Sequence, residues 1–524
     1  MPQKKSAGSL KAICLAYISR NMDKFCNGTE ISEQVDDADA IGVGENTTNP
    51  IHQLPSVLLD ALTEIITQSK KPPDVTQAEK FLHQIITPRL STLDLSLYSL
   101  GSDFHYIFAL ASVRCKHLKK LWVGHRSFCN SDFLDFIPNF SNLQVLDIDS
   151  VINIKFTLSG DDLFHFLGTH CKDLRDLSAP NNQVSDAGIH GLCVVGNCKR
   201  LRVVNVDRNP ITNRGIRMAL DNLPLLKILY HESLVEGLAS IAETALDQKI
   251  PNTPKQYSLS LLSYDCFMQR FYRSGTLGQS LLLCPYITDL HLILPGGIKN
   301  ADLLSILSLK TLYVLSIHLD NGFSNRFDES VTFDRGILPL LKSFGKSLTL
   351  LQIEGRVLDI DISAIIRFCP NLHTLNLSRS RELPRVANLE RAQVNTKIPV
   401  LMHLRKLRLD GGSNDQHSLV SPENLLKLLS SPSLSSVSLG YCNTLTDAIL
   451  QKANDLHSFR NLEFLSIDRC TSVTKQGIDV FMQENNPLEV IGFSRCGNIT
   501  DEDVNNWKAM ATEMNWEFRL SADP

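Results

Sequence analysis

Thirteen cysteines and fifteen histidines are the residues best suited here to metal binding or nucleophilic work, and their spacing suits neither. No Cys-x-x-Cys pair and no Cys/His ladder with zinc spacing occurs. There is no GxxxxGK phosphate loop, no GxGxxG after a strand, no HExxH and no GxSxG. The histidines stand singly; His231 and His291 fall within strand patterns. Carboxylates follow strand faces and helix starts, not the pairing an acid–base site needs. An odd, scattered set of cysteines reads as reduced thiols of a cytoplasmic or nuclear protein. The expectation is a non-catalytic chain with no metal and no cofactor. Any part it takes in a reaction would be proximity, holding one partner against another.

The elements that place these residues repeat. The template LxxLxL begins at Leu90, Leu118, Leu143, Leu174, Leu201, Leu259, Ile287, Leu312, Leu348, Leu372, Leu404, Leu434, Leu462 and Leu488. A degenerate copy begins at Leu226, with His231 in its third slot. Fifteen copies at spacings of 24 to 36 residues define a repeat architecture. Each short strand alternates faces, so the template residues point inward. One unit cannot bury its apolar side alone, and stacked neighbours bury it together. The predicted fold is α/β: a curved leucine-rich-repeat solenoid with a parallel sheet on the concave face and helices on the convex face.

Several repeats carry a cysteine two or three residues ahead of the first leucine: Cys115, Cys171, Cys198 and Cys369. Asn182, Asn209, Cys442, Cys470 and Cys496 fall three places past the last inward residue, where a buried side chain can bond the backbone of the turn. Val184-Ser185-Asp186-Ala187-Gly188 and Leu445-Thr446-Asp447 carry capping residues for a following helix. These features resemble the cysteine-containing leucine-rich repeat common in substrate receptors of ubiquitin ligases. Core packing is the expected role of the cysteines. Residues 233–258 and 319–347 read as long loops, as does the polar stretch 379–403, and residues from Asp501 as a final helix sealed by Trp507 and Trp516.

The residue after the last inward side chain should line the concave face. Asp149, Asp207, Glu232, Glu354, Asp410 and Asp468 stand there, a larger share of the fifteen equivalent positions than a chain with 56 acidic residues in 524 would supply. The central outward position adds Asp94, Asp147, Trp122 and Tyr230. One expectation is a surface for a basic target segment, with Trp122 and Tyr230 as anchors. The other is a solvated strand edge whose charge is balanced by Arg208, Arg379, Arg469 and Arg495.

One segment fits no repeat. In SLKAICLAYI, residues 9–18, Leu10, Cys14 and Ile18 lie on one helix face, Ile13 and Tyr17 widen it, and Ser9 stands at the cap. This resembles the elongin-BC box, SLxxxCxxxΦ, at every fixed position. The resemblance implies that Leu10 enters a pocket on elongin C with Cys14 beside it and Ile18 extending the contact, an amphipathic helix in a groove. The plainer reading is a helix that caps the first repeat. Further on, Leu54-Pro55-Ser56-Val57-Leu58 resembles the cullin-2 box, ΦPxxΦ, with Leu54 and Leu58 turned to a partner. It also resembles the opening of an F-box, which would imply a Skp-type adaptor and cullin-1; residues 54–89 are short for the three helices of that domain.

Boxes and repeats in this order resemble the Zyg-eleven-related receptors of cullin-2 ubiquitin ligases. The resemblance implies elongin B/C and cullin-2 as partners and an unidentified protein as target. Relatives in that family continue into armadillo repeats that hold N-terminal glycine degrons. None follows here, so adaptor docking is carried over and degron recognition is not. A leucine-rich scaffold unconnected to ubiquitin is the reading from another class.

The totals agree with a large buried core, since 43% of residues are hydrophobic. A formal charge of −4 gives no electrostatic case for nucleic acid or an anionic membrane. No apolar run of roughly 18 residues suggests a membrane span, and Lys11 interrupts the apolar stretch that a signal peptide would need. The expected division is 1–26 for the BC-box-like helix, 27–50 for a polar linker, 51–89 for a cullin-box-like helical segment, 90–500 for the solenoid and 501–524 for a capping helix and tail.

Overall fold

Each LxxLxL stretch forms the strand its alternation demands. The structure, a computed structural model, describes residues 13–15, 17, 18, 21, 50–67, 75–96, 104–124, 133–148, 159–247, 255–265, 272–294, 298–319, 331–355, 357, 359–379, 401–412, 419–483, 487–514, 516 and 519–523. The expected solenoid of 90–500 divides into two compact units, Ala7–Asp247 and Gln248–Pro524.

The first unit holds a six-stranded parallel sheet in chain order: β1 (Thr92–Asp94), β2 (Lys120–Val123), β3 (Val145–Ile148), β4 (Asp176–Ser178), β5 (Val203–Asn205) and β6 (Ile228–Tyr230). The second holds ten: β7 (Leu261–Asp265), β8 (Asp289–Leu294), β9 (Val314–Leu319), β10 (Leu350–Gly355), β11 (Thr374–Arg379), β12 (Lys406–Asp410), β13 (Ser436–Gly440), β14 (Phe464–Asp468), β15 (Val490–Ser494) and β16 (Arg519–Asp523). The middle template residues align across each sheet, Leu93 with Leu121, Leu146, Leu177, Val204 and Leu229 in the first. In the second, Leu262 begins a line through Leu290, Leu315, Leu351 and Leu375 to Leu407, Val437, Leu465 and Ile491. All are buried. A slip of one residue would turn this row to solvent, so burial fixes the register.

Helical returns supply the other apolar layer. Three differences from the sequence reading stand out. The stretch 233–258, expected as a loop, contains the helix Leu234–Asp247, which buries Leu234, Val235, Leu238, Ala239 and Ala242. The stretch 319–347, also expected as a loop, contains helical turns over Phe333–Ile337 and Leu338–Phe344. The tail adds β16 after the helix Asp501–Glu513, pairing β15 through Leu520 and Ile491. Its only template leucine is Leu520, so the repeat pattern does not announce it. Trp507 is buried as expected; its indole N–H donates to Asp479 at 2.8 Å and its ring lies 5.6 Å from that of Phe493.

Polar side chains lock one repeat to the next. At the helix starts, Asp161 accepts from Ser185 N–H (2.7 Å), Ser185 O–H (2.6 Å) and Gly188 N–H (2.9 Å). Asp186 holds Thr212 and Asp447 holds Thr474 through the same N–H and O–H pair. A Cβ on Gly215 or Gly477 would lie 2.3 Å from the carboxylate of Asp186 or Asp447, so this close approach excludes a larger residue. Under the strand ends, Asn209 accepts N–H groups of Asn182 (2.9 Å) and Val184 (3.0 Å) and donates to carbonyls of Ala179 (2.9 Å) and Asp207 (3.2 Å). Asn182 donates to Ile148 and Pro180. Cys470 and Cys496 point their thiols at the carbonyls of Leu439 and Ile467.

Asn209→Ala removes a buried group that answers two N–H groups and two carbonyls. Orphaned buried groups cost about 1–3 kcal/mol each. The first unfolding transition in urea should therefore lose about 3 kcal/mol or more; a loss below about 1 kcal/mol would show that the ladder is not needed.

Candidate functional site

The first helical turns carry both a buried and an exposed side. Leu15 is 5% exposed, whereas Ile13 and Tyr17, four residues apart, are 49% and 56% exposed. Cys14 is an exposed free thiol and Ile18 is half-buried. Asn21 closes this helix, its backbone N–H and side-chain amide both donating to the Tyr17 carbonyl. Leu10 lies outside the described residues. Leu15 therefore faces inward, and Ile13, Cys14 and Tyr17 form an apolar exposed side.

The second motif is anchored to the first sheet. Pro55 directly precedes the helix Ser56–Thr67, where a missing N–H costs nothing. Leu59 and Leu62 are buried, Leu54 and Leu58 are half-buried, and Pro55 and Val57 are exposed. One turn past Pro55, Asp60 accepts the backbone N–H groups of Ser91 (3.3 Å) and Thr92 (3.0 Å) and the Ser91 hydroxyl (2.6 Å). That carboxylate covers the open edge of β1, where unpaired strand groups would otherwise invite another strand. The next helix, Val75–Ile85, buries Phe81, Leu82 and Ile85 and packs against the helix Phe104–Arg114.

The carboxylates of the open sheet faces are less free than their positions suggest. Glu354 accepts from Gln352 (2.9 Å) and Asn376 (3.0 Å) and lies 3.0 Å from His318 Nδ1. Burial raises the pKa of Asp207, and the neighbouring Glu232 carboxylate raises it further. Burial acts on Glu232 in the same sense, but the Arg208 N–H (2.7 Å), its own backbone N–H and Asp207 hold its pKa below the usual range. Of the two acids, Asp207 is therefore the first to take up a proton as pH falls. Asp94 folds back on Ser96 (2.9 and 2.6 Å), and Asp410 accepts from Gly412 N–H at 3.1 Å. Asp468 is half-buried, with no side-chain hydrogen bond or ion pair among the described residues. Trp122 and Tyr230 are half-buried outward residues of β2 and β6. Asp149 and the side chain of Arg379 lie outside the described residues. The sequence thus marked the positions of these acids but not the partners of Glu354; His318 and Asn376 come from strands 36 and 22 residues away.

His231 fills the third inward slot of its repeat. Its Nδ1 accepts from Ser233 N–H at 3.1 Å and its Nε2–H donates to the Asn209 carbonyl at 3.2 Å. It is a packed, hydrogen-bonded imidazole. Burial also pushes thiols up, to about 12 for Cys115, Cys171, Cys198, Cys284 and Cys369, and to about 11 for Cys193. Such thiols are poor nucleophiles and poor metal ligands. Among the described residues no group of three or more His, Cys, Asp or Glu could hold a metal ion, and no helix is long and apolar enough to cross a membrane.

No family model matches the chain, and no curated protein matches it by sequence. Among solved structures it is similar to one described as the crystal structure of the Rad7 and Elc1 complex in yeast, at 14% sequence identity, over 95% of this chain and 96% of that chain, with a TM-score of 0.40.

Iodoacetamide at pH 8 should label Cys14 in the folded protein and leave Cys115, Cys171, Cys198, Cys284 and Cys369 unlabelled until denaturant is added. Peptide mapping by mass spectrometry reads this directly. Rapid native labelling of the buried five would contradict the packing described.

Proposed function

We propose that this protein is a non-catalytic substrate receptor of an elongin B/C–cullin-2 ubiquitin ligase, docking through its N-terminal helix and holding a target protein on its leucine-rich arm. The observation that carries the reading is the exposed side of residues 13–18: Ile13, Cys14 and Tyr17 offer apolar surface while Leu15 secures the helix from behind. The segment also matches the fixed positions of the elongin-BC box. A short helix that caps a repeat has no need of an exposed tyrosine and isoleucine four residues apart. Apolar anchors at helical spacing are what a groove-binding partner takes up. In this reading Leu10 and Cys14 enter the adaptor, and Pro55 and Val57, with the half-buried Leu54 and Leu58, lie at the cullin contact.

The sheets supply the second function. Stacked repeats hold a long row of outward side chains in fixed register, a surface suited to a folded or extended target. The ligase partners would bring the zinc domain and the charged enzyme, and this chain would bring the target lysine within reach. The Skp-type alternative gains less from the described residues. Of the two helices in the segment 54–89, Ser56–Thr67 is bonded to β1 through Asp60 and Val75–Ile85 packs on the next repeat helix.

Purified chain should co-precipitate elongins B and C, and Leu10→Ala with Cys14→Ala should abolish that binding at an unchanged melting temperature. Capture of the Skp-type adaptor instead, or elongin binding that survives both substitutions, would refute the assignment.

A further inference from the structure

The turns that follow β13, β14 and β15 of the second sheet each contain a residue in an unusual conformation. Tyr441, Arg469 and Arg495 have φ of 50°, 50° and 51°, in the left-handed region. The turn needs this geometry. It lets the N–H of Tyr441 reach the Asp468 carbonyl (2.9 Å) and that of Arg469 reach the Ser494 carbonyl (2.8 Å), and it turns Cys442, Cys470 and Cys496 inward. Asparagine or glycine adopts it most cheaply, and in the first sheet Asn181 (φ 55°) and Arg208 (φ 56°) occupy the equivalent place. Two arginines and a tyrosine are not the cheapest choice for the backbone, and in the second sheet they stand on three consecutive turns.

Register places the three side by side. Gly440, Asp468 and Ser494 are paired across β13, β14 and β15, so the residues that follow them sit on neighbouring strands roughly 4.8 Å apart. The Arg469 guanidinium lies 4.8 Å from the centre of the Tyr441 ring, which holds it in place. Arg495 is exposed. Neither guanidinium makes an ion pair among the described residues, although Arg200 and Arg217 on other surfaces each find an aspartate. The acid closest in sequence, Asp468, stays beyond ion-pair distance of both. The adjoining sheet face is low, formed by Ser466, Gly492, Ser494 and Ser521, with the half-buried Asp468 beside Ser494.

From this we infer that the turns after β13, β14 and β15 bind an acidic peptide segment of a partner protein. Two arginines on neighbouring turns, neither with a carboxylate partner among the described residues, can both be answered by one anionic segment. Their planar donor forks match carboxylates two at a time. In an extended segment, side chains two residues apart stand roughly 7 Å from each other, which suits two arginines on adjacent strands and favours a Glu-x-Glu spacing. A nucleic acid is the other polyanion such a pair could meet, and oligothymidylate binding distinguishes it. The inference rests on reading the leucine-rich arm as a binding surface and is independent of the adaptor.

The test uses the full chain alone and fluorescein-labelled peptides of four Glu-Ser, Gln-Ser or Lys-Ser repeats, with oligothymidylate as a further probe. The Glu-Ser peptide should bind best and release as salt rises. Arg469→Asn with Arg495→Asn should weaken it about tenfold or more. Asparagine accepts the left-handed backbone, so the unfolding midpoint should hold or rise in that variant. Equal binding of the Glu-Ser and Gln-Ser peptides would overturn the inference. So would unchanged Glu-Ser binding in the double variant, or tighter binding of oligothymidylate. Because no elongin is present, failure here leaves the adaptor assignment standing, and failure of the adaptor assignment leaves this result standing.

Discussion

Strands β4, β5, β14 and β15 each end in a turn whose backbone groups face the protein interior. Water cannot reach them there, and an unanswered N–H or carbonyl costs a large part of what a folded unit has to spare. The chain meets this constraint with one buried side chain per turn, passed from repeat to repeat. Asn209 serves four backbone groups, three in the repeat before and one in its own, Asn182 serves the strand before, and Cys470 and Cys496 do the same with weaker sulfur contacts. The aspartates at the helix starts repeat this logic on the other side of the strands. Repeats linked this way hold their outward side chains at fixed spacing, which any binding by the arm presupposes.

That requirement explains why cysteine is frequent here without being chemical. A small side chain that fits under a turn and donates weakly to a carbonyl is a packing residue, and burial moves its thiol away from reactivity. The carboxylates divide in the same way. Asp60, Asp161, Asp186 and Asp447 are bonded to backbone and hydroxyl groups, and Glu354 is held by amides and an imidazole. On the open sheet faces Asp94, Glu354 and Asp410 are answered from within, whereas Asp468, Arg469 and Arg495 find no such partner among the described residues.

The fifteen strands were legible because burial on one face leaves a period-two trace that recurs with each repeat. The inward Asn and Cys positions were legible for the same reason, since they stand at a constant distance from the last leucine. The sixteenth strand was not, because only Leu520 of its template survives. The helix Leu234–Asp247 was obscured by the length of its repeat, although its leucines and alanines recur at helical spacing. At the candidate surfaces the sequence identified residue types and faces: Cys14 and Tyr17 on the exposed side of a helix, Asp207 and Glu354 on open strands. It could not show that Glu354 is taken up by His318 and Asn376, or that Asp60 turns the Leu-Pro segment into a cover for β1. Those contacts join residues 22 to 36 positions apart and leave no local pattern.

The proposed receptor role depends on the N-terminal helix being covered by another protein. Hydrogen–deuterium exchange of the full chain, with and without purified elongin B–C complex, tests that most directly. The account predicts slower exchange in peptides spanning residues 9–21 on adding the complex, with the repeat strands unchanged. Unaltered exchange across that helix at saturating elongin B–C, or protection confined to the sheets, would contradict it.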